Sequence, residues 1–217
     1  MPAAIQSPLP LPASNGADSS ASTYVDEAKA LERLIEVSSV VLAQAVDLVD
    51  NSLVSDEQMT AKSQYIPGST IVHLLTPTEG KHLRHARDHF MLLMDSVSTS
   101  APHVLNYDVR SRNTPMETSR KDAHDALSEA IARLKDQVPL VHLDEPITLH
   151  AVTPYPQVVQ TTFGRELWFA ALHAVHHWSM VRVVAGELGI ALEETFGFAP
   201  STLVHQGSEG PLGKPKI

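Results

Sequence analysis

Three histidines occur within five residues of one another, inside an apolar run that extends from Phe163 to Leu188. The segment reads His173-Ala-Val-His176-His177. In a helix, residues four positions apart lie about 40° from each other on one face, so His173 and His177 stack one turn apart. Buried imidazoles need polar partners, because an unpaired buried polar group costs about 1–3 kcal/mol. A divalent cation would satisfy two of these rings at once.

A second histidine cluster lies earlier in the chain, with His82, His85 and His89 at positions i, i+3 and i+7. On a helix these positions fall within about 60° of arc. If this face opposes the later one, one of its histidines and the His173/His177 pair form a three-histidine site with open coordination positions. Open positions are typical of catalytic rather than structural metal ions. The alternative for each ring is an exposed or hydrogen-bonded histidine without a metal.

The composition argues against several classes of protein. The formal net charge is −9, from 16 basic and 25 acidic residues, which is unfavourable for a nucleic-acid partner. The sequence has no cysteine, so disulfides, thiolate metal ligands and a cysteine nucleophile are excluded. No uncharged apolar run is long enough to span a membrane, so no membrane partner is expected. The lack of cysteine leaves the compartment open, and a cytoplasmic location is predicted as the default.

One folded domain is expected between two tails. Residues 1–23 are rich in Pro, Ala and Ser, and they predict a disordered tail rather than a secretory signal. Residues 24–204 form the predicted domain. Residues 205–217 repeat Gly and Pro and predict a flexible C-terminal tail.

Apolar periodicity predicts four long helices within the domain. The first runs from Tyr24 to about Val54, and the second carries the early histidines and ends near Ser98. The third follows a capping box that begins at Thr114, and the fourth is capped by Thr161 or Thr162 and stops at Gly189. Residues 55–77 form a predicted long loop, of the kind that covers a functional site.

Residues 139–156 predict a small β-hairpin rather than a helix. Its strands are expected at residues 141–143 and 147–152, about a turn at Asp144-Glu145-Pro146. Pro146 and Pro154 are expected to keep it at an edge. The predicted fold class is therefore all-α: a four-helix bundle with a small β-hairpin before the last helix.

Glu166 lies seven residues before His173, on the same helix face two turns away. It could serve as a general base or as a hydrogen-bond acceptor behind a ligand, whereas the simpler interpretation is an exposed first-turn carboxylate. The segment Glu79-Gly80-Lys81-His82 matches the Glu-x-x-His of di-iron bundles, but no second copy is present. A di-iron site is therefore not expected.

Four segments taken together resemble the DinB-like superfamily of metalloenzymes. They are, in chain order, Glu79–Phe90, Asn106–Arg112, His173–His177 and Phe196–Thr202. The resemblance covers roughly residues 24–204. One departure is Gly80, which follows Thr78-Glu79 where the family usually has a small residue and an aliphatic one.

The resemblance implies an up-up-down-down four-helix bundle, often dimeric, that binds a divalent ion through three histidines. The ion is commonly zinc or nickel, and a homodimer is expected. Carried over by position, the ligands are His85, His173 and His177. Members of known activity include thiol transferases and isomerases, so membership does not fix the reaction.

The predicted function is a metal-dependent enzyme that acts on a small-molecule substrate. Its chemistry would be that of a Lewis acid or of metal-bound water, in thiol transfer, hydrolysis or isomerisation. His176, His89 and Glu166 are the expected catalytic residues beside the ion, and Arg110 or Arg112 could hold a substrate carboxylate. Two alternatives stay open: a bundle that binds metal or ligand without catalysis, and a metal-free bundle whose histidines act as acid–base groups.

Overall fold

The structure is a computed structural model that describes residues 19–61, 63–65, 79–109, 111–152, 154–210 and 212–213. Its α-helices are α1 (Ser19–Asp47), α2 (Asp56–Met59), α3 (Glu79–Val97), α4 (Arg120–Gln137), α5 (Phe163–Glu187) and α6 (Pro200–His205). Its strands are β1 (His103–Leu105), β2 (Pro146–Ala151) and β3 (Gln157–Thr162). A π-helical turn, Leu48–Ser52, extends α1, and 3-10 turns at Pro115–Glu117 and Val138–Leu140 flank α4.

The four long helices pack around one core. α3 lies against α5 and α4, and α1 lies against α4 and α5. Their apolar stripes meet inside, where Leu42 of α1 and Leu127 of α4 are completely buried. Trp178 of α5 is also completely buried, and its indole N–H donates to the Val41 carbonyl at 2.8 Å. The core therefore fixes α5, which carries the later histidines, against α1.

The sheet contradicts the predicted fold class. β2 is its central strand and pairs in parallel with β1, with Ile147 opposite His103. On its other side β2 pairs antiparallel with β3, with Ile147 opposite Thr161. A three-stranded mixed sheet beside six described helices is not an all-α four-helix bundle with only a small hairpin. The predicted fold class was wrong.

Of the two predicted hairpin strands, residues 147–152 coincide with β2 (Pro146–Ala151), whereas residues 141–143 are not a strand and the hairpin partner is β3. Residues 141–145 form turns, in which Val141 N–H donates to the Val138 carbonyl and Glu145 N–H donates to the His142 carbonyl, both at 3.1 Å. Pro146 was expected at an edge, yet it begins the central strand. It is tolerated there because a proline at the first residue of a strand removes only a terminal hydrogen bond.

The prediction for the fourth long helix, α5, is confirmed, whereas the prediction for the third long helix, α4, is wrong at its start. Thr162 caps α5, with its side chain accepting from Arg165 N–H at 3.4 Å, and Gly189 follows the helix with φ +69°. α4 begins only at Arg120, because Ser119 rather than Thr114 caps it. The expected capping box instead forms the separate 3-10 turn.

The two predicted tails and the predicted loop 55–77 contain some ordered elements. α1 begins at Ser19, inside the predicted N-terminal tail, and Leu212 of the predicted C-terminal tail is buried. Within the predicted loop 55–77, the described residues include α2, and residues 66–78 lie outside the described residues. No helix in the described part of the chain is both long and apolar enough to cross a membrane.

The segment after α5 places its backbone directly on that helix. Gly197 has φ +74°, and a Cβ at this position would lie 2.8 Å from the Trp178 carbonyl oxygen. Gly207 has a similar φ of +73°, but apart from its chain neighbours no atom of the described residues lies within 4 Å of its Cβ position. Both positions favour glycine by conformation, and only Gly197 also needs it for close approach.

We expect Gly197→Ala to lower the free energy of unfolding by at least about 2 kcal/mol more than Gly207→Ala. Both variants carry the cost of a positive φ, and only the first adds a backbone clash. Urea unfolding followed by circular dichroism measures the two losses. Equal losses would contradict the close approach of this segment to α5.

Candidate metal centre

Packing of α3 against α5 brings the two histidine clusters together. The face of α3 with His82, His85 and His89 opposes the face of α5 with His173 and His177, which is the condition that the sequence had left open. One ring nitrogen from each of His85, His173 and His177 lies within 4.8 Å of the other two. The sequence required only one histidine of α3 to reach α5, whereas all three have ring contacts with those of α5.

The His173 and His177 rings have nearly the separation of two ligands of one ion. Their Nε2 atoms are 3.1 Å apart. Two nitrogens bound at about 2.0–2.1 Å to a tetrahedral ion lie roughly 3.3 Å from each other. The His85 ring centre lies 5.1 Å from that of His173 and 4.7 Å from that of His177, and it completes the triangle. Without an ion, the 3.1 Å contact is an N–H···N hydrogen bond between the two rings.

Burial keeps these imidazoles in the neutral form that a metal ligand requires. Burial, and then the neighbouring rings of His85 and His173, lowers the pKa of His177 to about 2. Burial, and then the rings of His89 and His176, lowers the pKa of His173 to about 4. At neutral pH both rings therefore keep a nitrogen lone pair available for coordination.

His82 closes the inner end of the cluster. It is 9% exposed, and its Nδ1 lies 2.8 Å from Nδ1 of His177. Burial, and then the charge of His176, lowers the pKa of His82 to about 4. If His177 turns Nε2 towards an ion, its Nδ1–H donates to His82. The His82 proton is then on Nε2, a buried atom with no hydrogen-bond partner among the described residues.

His89 and Tyr107 form a wall beside His173. The His89 Nδ1–H donates to the His85 carbonyl at 3.0 Å, so Nε2 is the basic atom of the neutral ring. The ring centre of His89 lies 4.0 Å from that of His173. On its other side His89 stacks on Tyr107, with ring centres 4.5 Å apart and planes inclined by 17°. His89 therefore faces the cluster.

Glu166 is buried rather than exposed, so the simpler interpretation of this first-turn carboxylate was wrong. It is 1% exposed, and it accepts hydrogen bonds from Tyr107 Oη at 3.0 Å and Thr161 Oγ1 at 2.8 Å. Burial, and then the Glu166 charge, raises the pKa of Tyr107 far above its usual range, so the phenol keeps its proton. These contacts connect Glu166 to the histidines through Tyr107 and His89.

The other predicted site residues lie further out. His176 is exposed, with its ring centre 5.3 Å from that of His177 and 6.2 Å from that of His173, so it borders the cluster on the solvent side. Arg112 is exposed, and Arg110 lies outside the described residues.

Phe169 is a neighbour of the cluster that the sequence indicated only as part of an apolar face. Its ring stacks on that of His173, with centres 5.5 Å apart, and lies 5.6 Å from Tyr107. Its position four residues before His173 was the available signal, because residues four apart share a helix face. The role of Tyr107 had no such local signal.

Among the described residues, a second group of side chains could also offer three ligand atoms to a metal ion. Glu27, His142 and Asp144 also bring three ligand atoms within 4.8 Å, but His142 and Asp144 are exposed, as solvated surface groups usually are.

A cleft of about 370 Å³ lies on another face of α3 and is lined in part by Arg84 and Arg87. Arg84 pairs with Asp88 and Glu117, both at 2.7 Å, and Arg87 pairs with Glu129 at 2.9 Å. The pairs with Glu117 and Glu129 connect α3 to neighbouring elements, so we interpret these arginines as structural. The histidine cluster therefore remains the candidate site.

Comparison with known proteins finds similarity to a longer protein. The chain is 31% identical over 175 residues to a protein of Rhizopus delemar (strain RA 99-880) named FK506-binding protein 5. The match covers 79% of this chain and 37% of that relative, so the chain spans little more than a third of its length. No family model matches, and no solved structure matches.

We expect the metal-free protein to lose stability as the pH falls from about 6.5 to 4. Unfolding lets His82 take up a proton that the folded state excludes, so its contribution is fully present above pH 6.5 and is lost as the pH falls through the folded pKa of about 4. The loss is on the order of 2 kcal/mol for this residue.

Urea unfolding at pH 7 and pH 4.5 after EDTA treatment measures this loss. His82→Leu should show a smaller loss than the wild type, whereas His205→Leu, at an exposed position, should lose as much as the wild type. The same acid sensitivity in His82→Leu and the wild type would contradict the burial of a neutral imidazole.

Proposed function

We propose that this chain is a metal-dependent enzyme that acts on a small molecule through a divalent ion bound by His85, His173 and His177. The observation that carries the proposal is that these three imidazoles, from two helices, bring their ring nitrogens within 4.8 Å of one another. Three protein ligands leave a coordination position for a substrate, an arrangement typical of catalytic sites.

The donor set fits zinc or nickel. Imidazole nitrogen is a good ligand for both ions. The surroundings also fit, because a histidine ligand usually donates its second N–H to a fixed acceptor, and His82 Nδ1 is in that position for His177. Nε2 of His82 is buried and has no hydrogen-bond partner among the described residues. The hydrogen bonds within the cluster are therefore incomplete without a further bound species.

When bound, the ion would supply Lewis-acid chemistry to a substrate oxygen or sulfur. His82 would hold the orientation of His177, and His89 would offer Nε2 as a proton acceptor beside His173. Tyr107, hydrogen-bonded to Glu166, would keep the His89 ring in place by stacking. His176, on the solvent side, would be among the groups that an entering molecule meets.

The lowered pKa values favour metal binding over a metal-free acid–base cluster. A general base works best when its pKa is near the operating pH. His173 and His177, with pKa values of about 4 and about 2, are too weakly basic for that role at neutral pH. The 3.1 Å contact between their Nε2 atoms remains the observation in favour of a metal-free cluster. Activity that survives chelation would support that alternative.

Thiol transfer, hydrolysis and isomerisation all stay within the proposal, in keeping with the resemblance to DinB-like metalloenzymes. A homodimer, a cytoplasmic location and the lack of a nucleic-acid or membrane partner stay predictions from the sequence. We do not propose FK506 binding for this chain, because the match covers 37% of the relative and its name does not say which part binds.

We expect one zinc or nickel ion to bind per chain. His85→Ala, His173→Ala and His177→Ala should each weaken the affinity by more than about 100-fold, because each removes one of three ligands. Isothermal titration with Zn²⁺ and elemental analysis after dialysis measure affinity and stoichiometry. His176→Ala removes an exposed histidine of the same helix and should leave both unchanged. A tightly bound ion in all three ligand variants would overturn the proposal.

His82 is expected to support the metal without binding it. His82→Ala should keep one ion per chain and weaken Zn²⁺ affinity by about 10- to 100-fold. His82→Asn offers a side-chain oxygen close to the place of Nδ1, so it should recover part of the loss. Equal affinities for the alanine and asparagine variants in the same titration would show that the acceptor at this atom is unimportant.

A further inference from the structure

A series of side chains four residues apart on α5 leads from the candidate metal centre to solvent. His177, His173, Phe169 and Arg165 lie at successive turns of the helix, each about 40° around the axis from the one before. His177 is buried, His173 and Phe169 are partly buried, and the Arg165 side chain is 63% exposed. His82 lies at the buried His177 end of this row, and Arg165 lies at its exposed end.

These side chains are in contact. The Phe169 ring stacks on that of His173, with centres 5.5 Å apart and planes inclined by 25°. The Arg165 guanidinium carbon lies 5.3 Å from the centre of the Phe169 ring, a cation–π contact. Tyr107 lies beside Phe169, with ring centres 5.6 Å apart. Aromatic surface therefore connects the guanidinium with the histidines.

We propose that Arg165 and Phe169 form the substrate-binding arm of the metal centre. Arg165 binds the carboxylate at one end of a small organic molecule, and a thiol or oxygen donor at the other end reaches the ion. The planar guanidinium matches a carboxylate with two parallel hydrogen bonds, and the carbon chain lies on the Phe169 ring. This inference rests on the proposed metal site.

The helix geometry sets the length of such a molecule. Arg165 and His173 are eight residues apart, which is about 12 Å along the helix axis. Part of this distance is taken by the hydrogen bonds to Arg165 and by the bond to the ion. A chain of about four or five atoms between carboxylate and donor spans the remaining distance, and a chain of two is too short.

Glu166 is the charged neighbour that competes for Arg165. Its Oε1 lies 3.4 Å from Arg165 Nη1, longer than the roughly 2.7–2.9 Å of a charge-assisted hydrogen bond. The carboxylate already accepts hydrogen bonds from Tyr107 and Thr161. A guanidinium has five N–H donors, so a ligand carboxylate and Glu166 can be bound together.

Ligand binding to the Co²⁺-loaded protein tests the proposal, because visible absorption of Co²⁺ reports thiolate coordination. The probes are 6-mercaptohexanoate and its uncharged analogue 6-mercaptohexanol, with 3-mercaptopropionate and 3-mercaptopropanol as the short pair. The long carboxylate should bind about fivefold more tightly than the long alcohol, the size of an exposed charge pair. The short carboxylate should show no gain over the short alcohol.

Arg165→Gln should bring the long carboxylate-to-alcohol affinity ratio close to one. Arg112→Gln removes the same charge from an exposed position outside the series and should keep the wild-type ratio. A ratio of one in the wild type, an unchanged ratio in Arg165→Gln, or an equal gain for the short pair would overturn the inference. If Arg165→Gln does not fold, Arg165→Met, which also removes the charge, decides: a ratio close to one supports the inference, and an unchanged ratio overturns it.

The outcomes separate this inference from the function on which it rests. If Co²⁺ does not bind, both the proposed metal site and the proposed substrate-binding arm are wrong. If Co²⁺ and 6-mercaptohexanol bind but 6-mercaptohexanoate binds no more tightly than the alcohol, the metal site is supported and only the substrate-binding arm is wrong.

Discussion

The burial of opposed histidine faces between α3 and α5 is the constraint on which the site depends. Polar rings occupy part of a helix interface that apolar side chains usually fill, and each buried nitrogen must find a partner. The rings find these partners within the cluster: His82 contacts His177, His177 contacts His173, and His89 donates to the backbone carbonyl of His85. Removal of one ring therefore affects its neighbours as well, and a shared ion would satisfy several nitrogens at once.

The sheet, which was not expected, completes the site. β1 pairs in parallel with β2 and leads into the segment that carries Tyr107. Asp108 accepts from Val152 N–H at 2.8 Å, which fixes this segment beside the end of β2. Tyr107 then stacks on His89 and donates to Glu166. The sheet, which contradicts the predicted four-helix bundle, therefore positions Tyr107 beside the cluster.

The sequence predicted what depends on local periodicity and missed what depends on distant pairing. The long helices and their histidine faces follow from the 3.6-residue repeat. The sequence left open whether the two faces oppose each other, and the packing of α3 on α5 shows that they do. β3 could not be recognised because most of its side chains are exposed and show no alternation in burial. The burial of Glu166 could not be predicted because its partner Tyr107 lies 59 residues away in the sequence.

X-ray absorption at the zinc edge of the Zn²⁺-loaded protein measures the coordination of the ion directly. Coordination by His85, His173 and His177 predicts three imidazole nitrogens at about 2.0–2.1 Å, with the outer-ring scattering typical of histidine, and one further light-atom ligand. A shell of oxygen ligands with at most one imidazole would contradict a three-histidine metal centre.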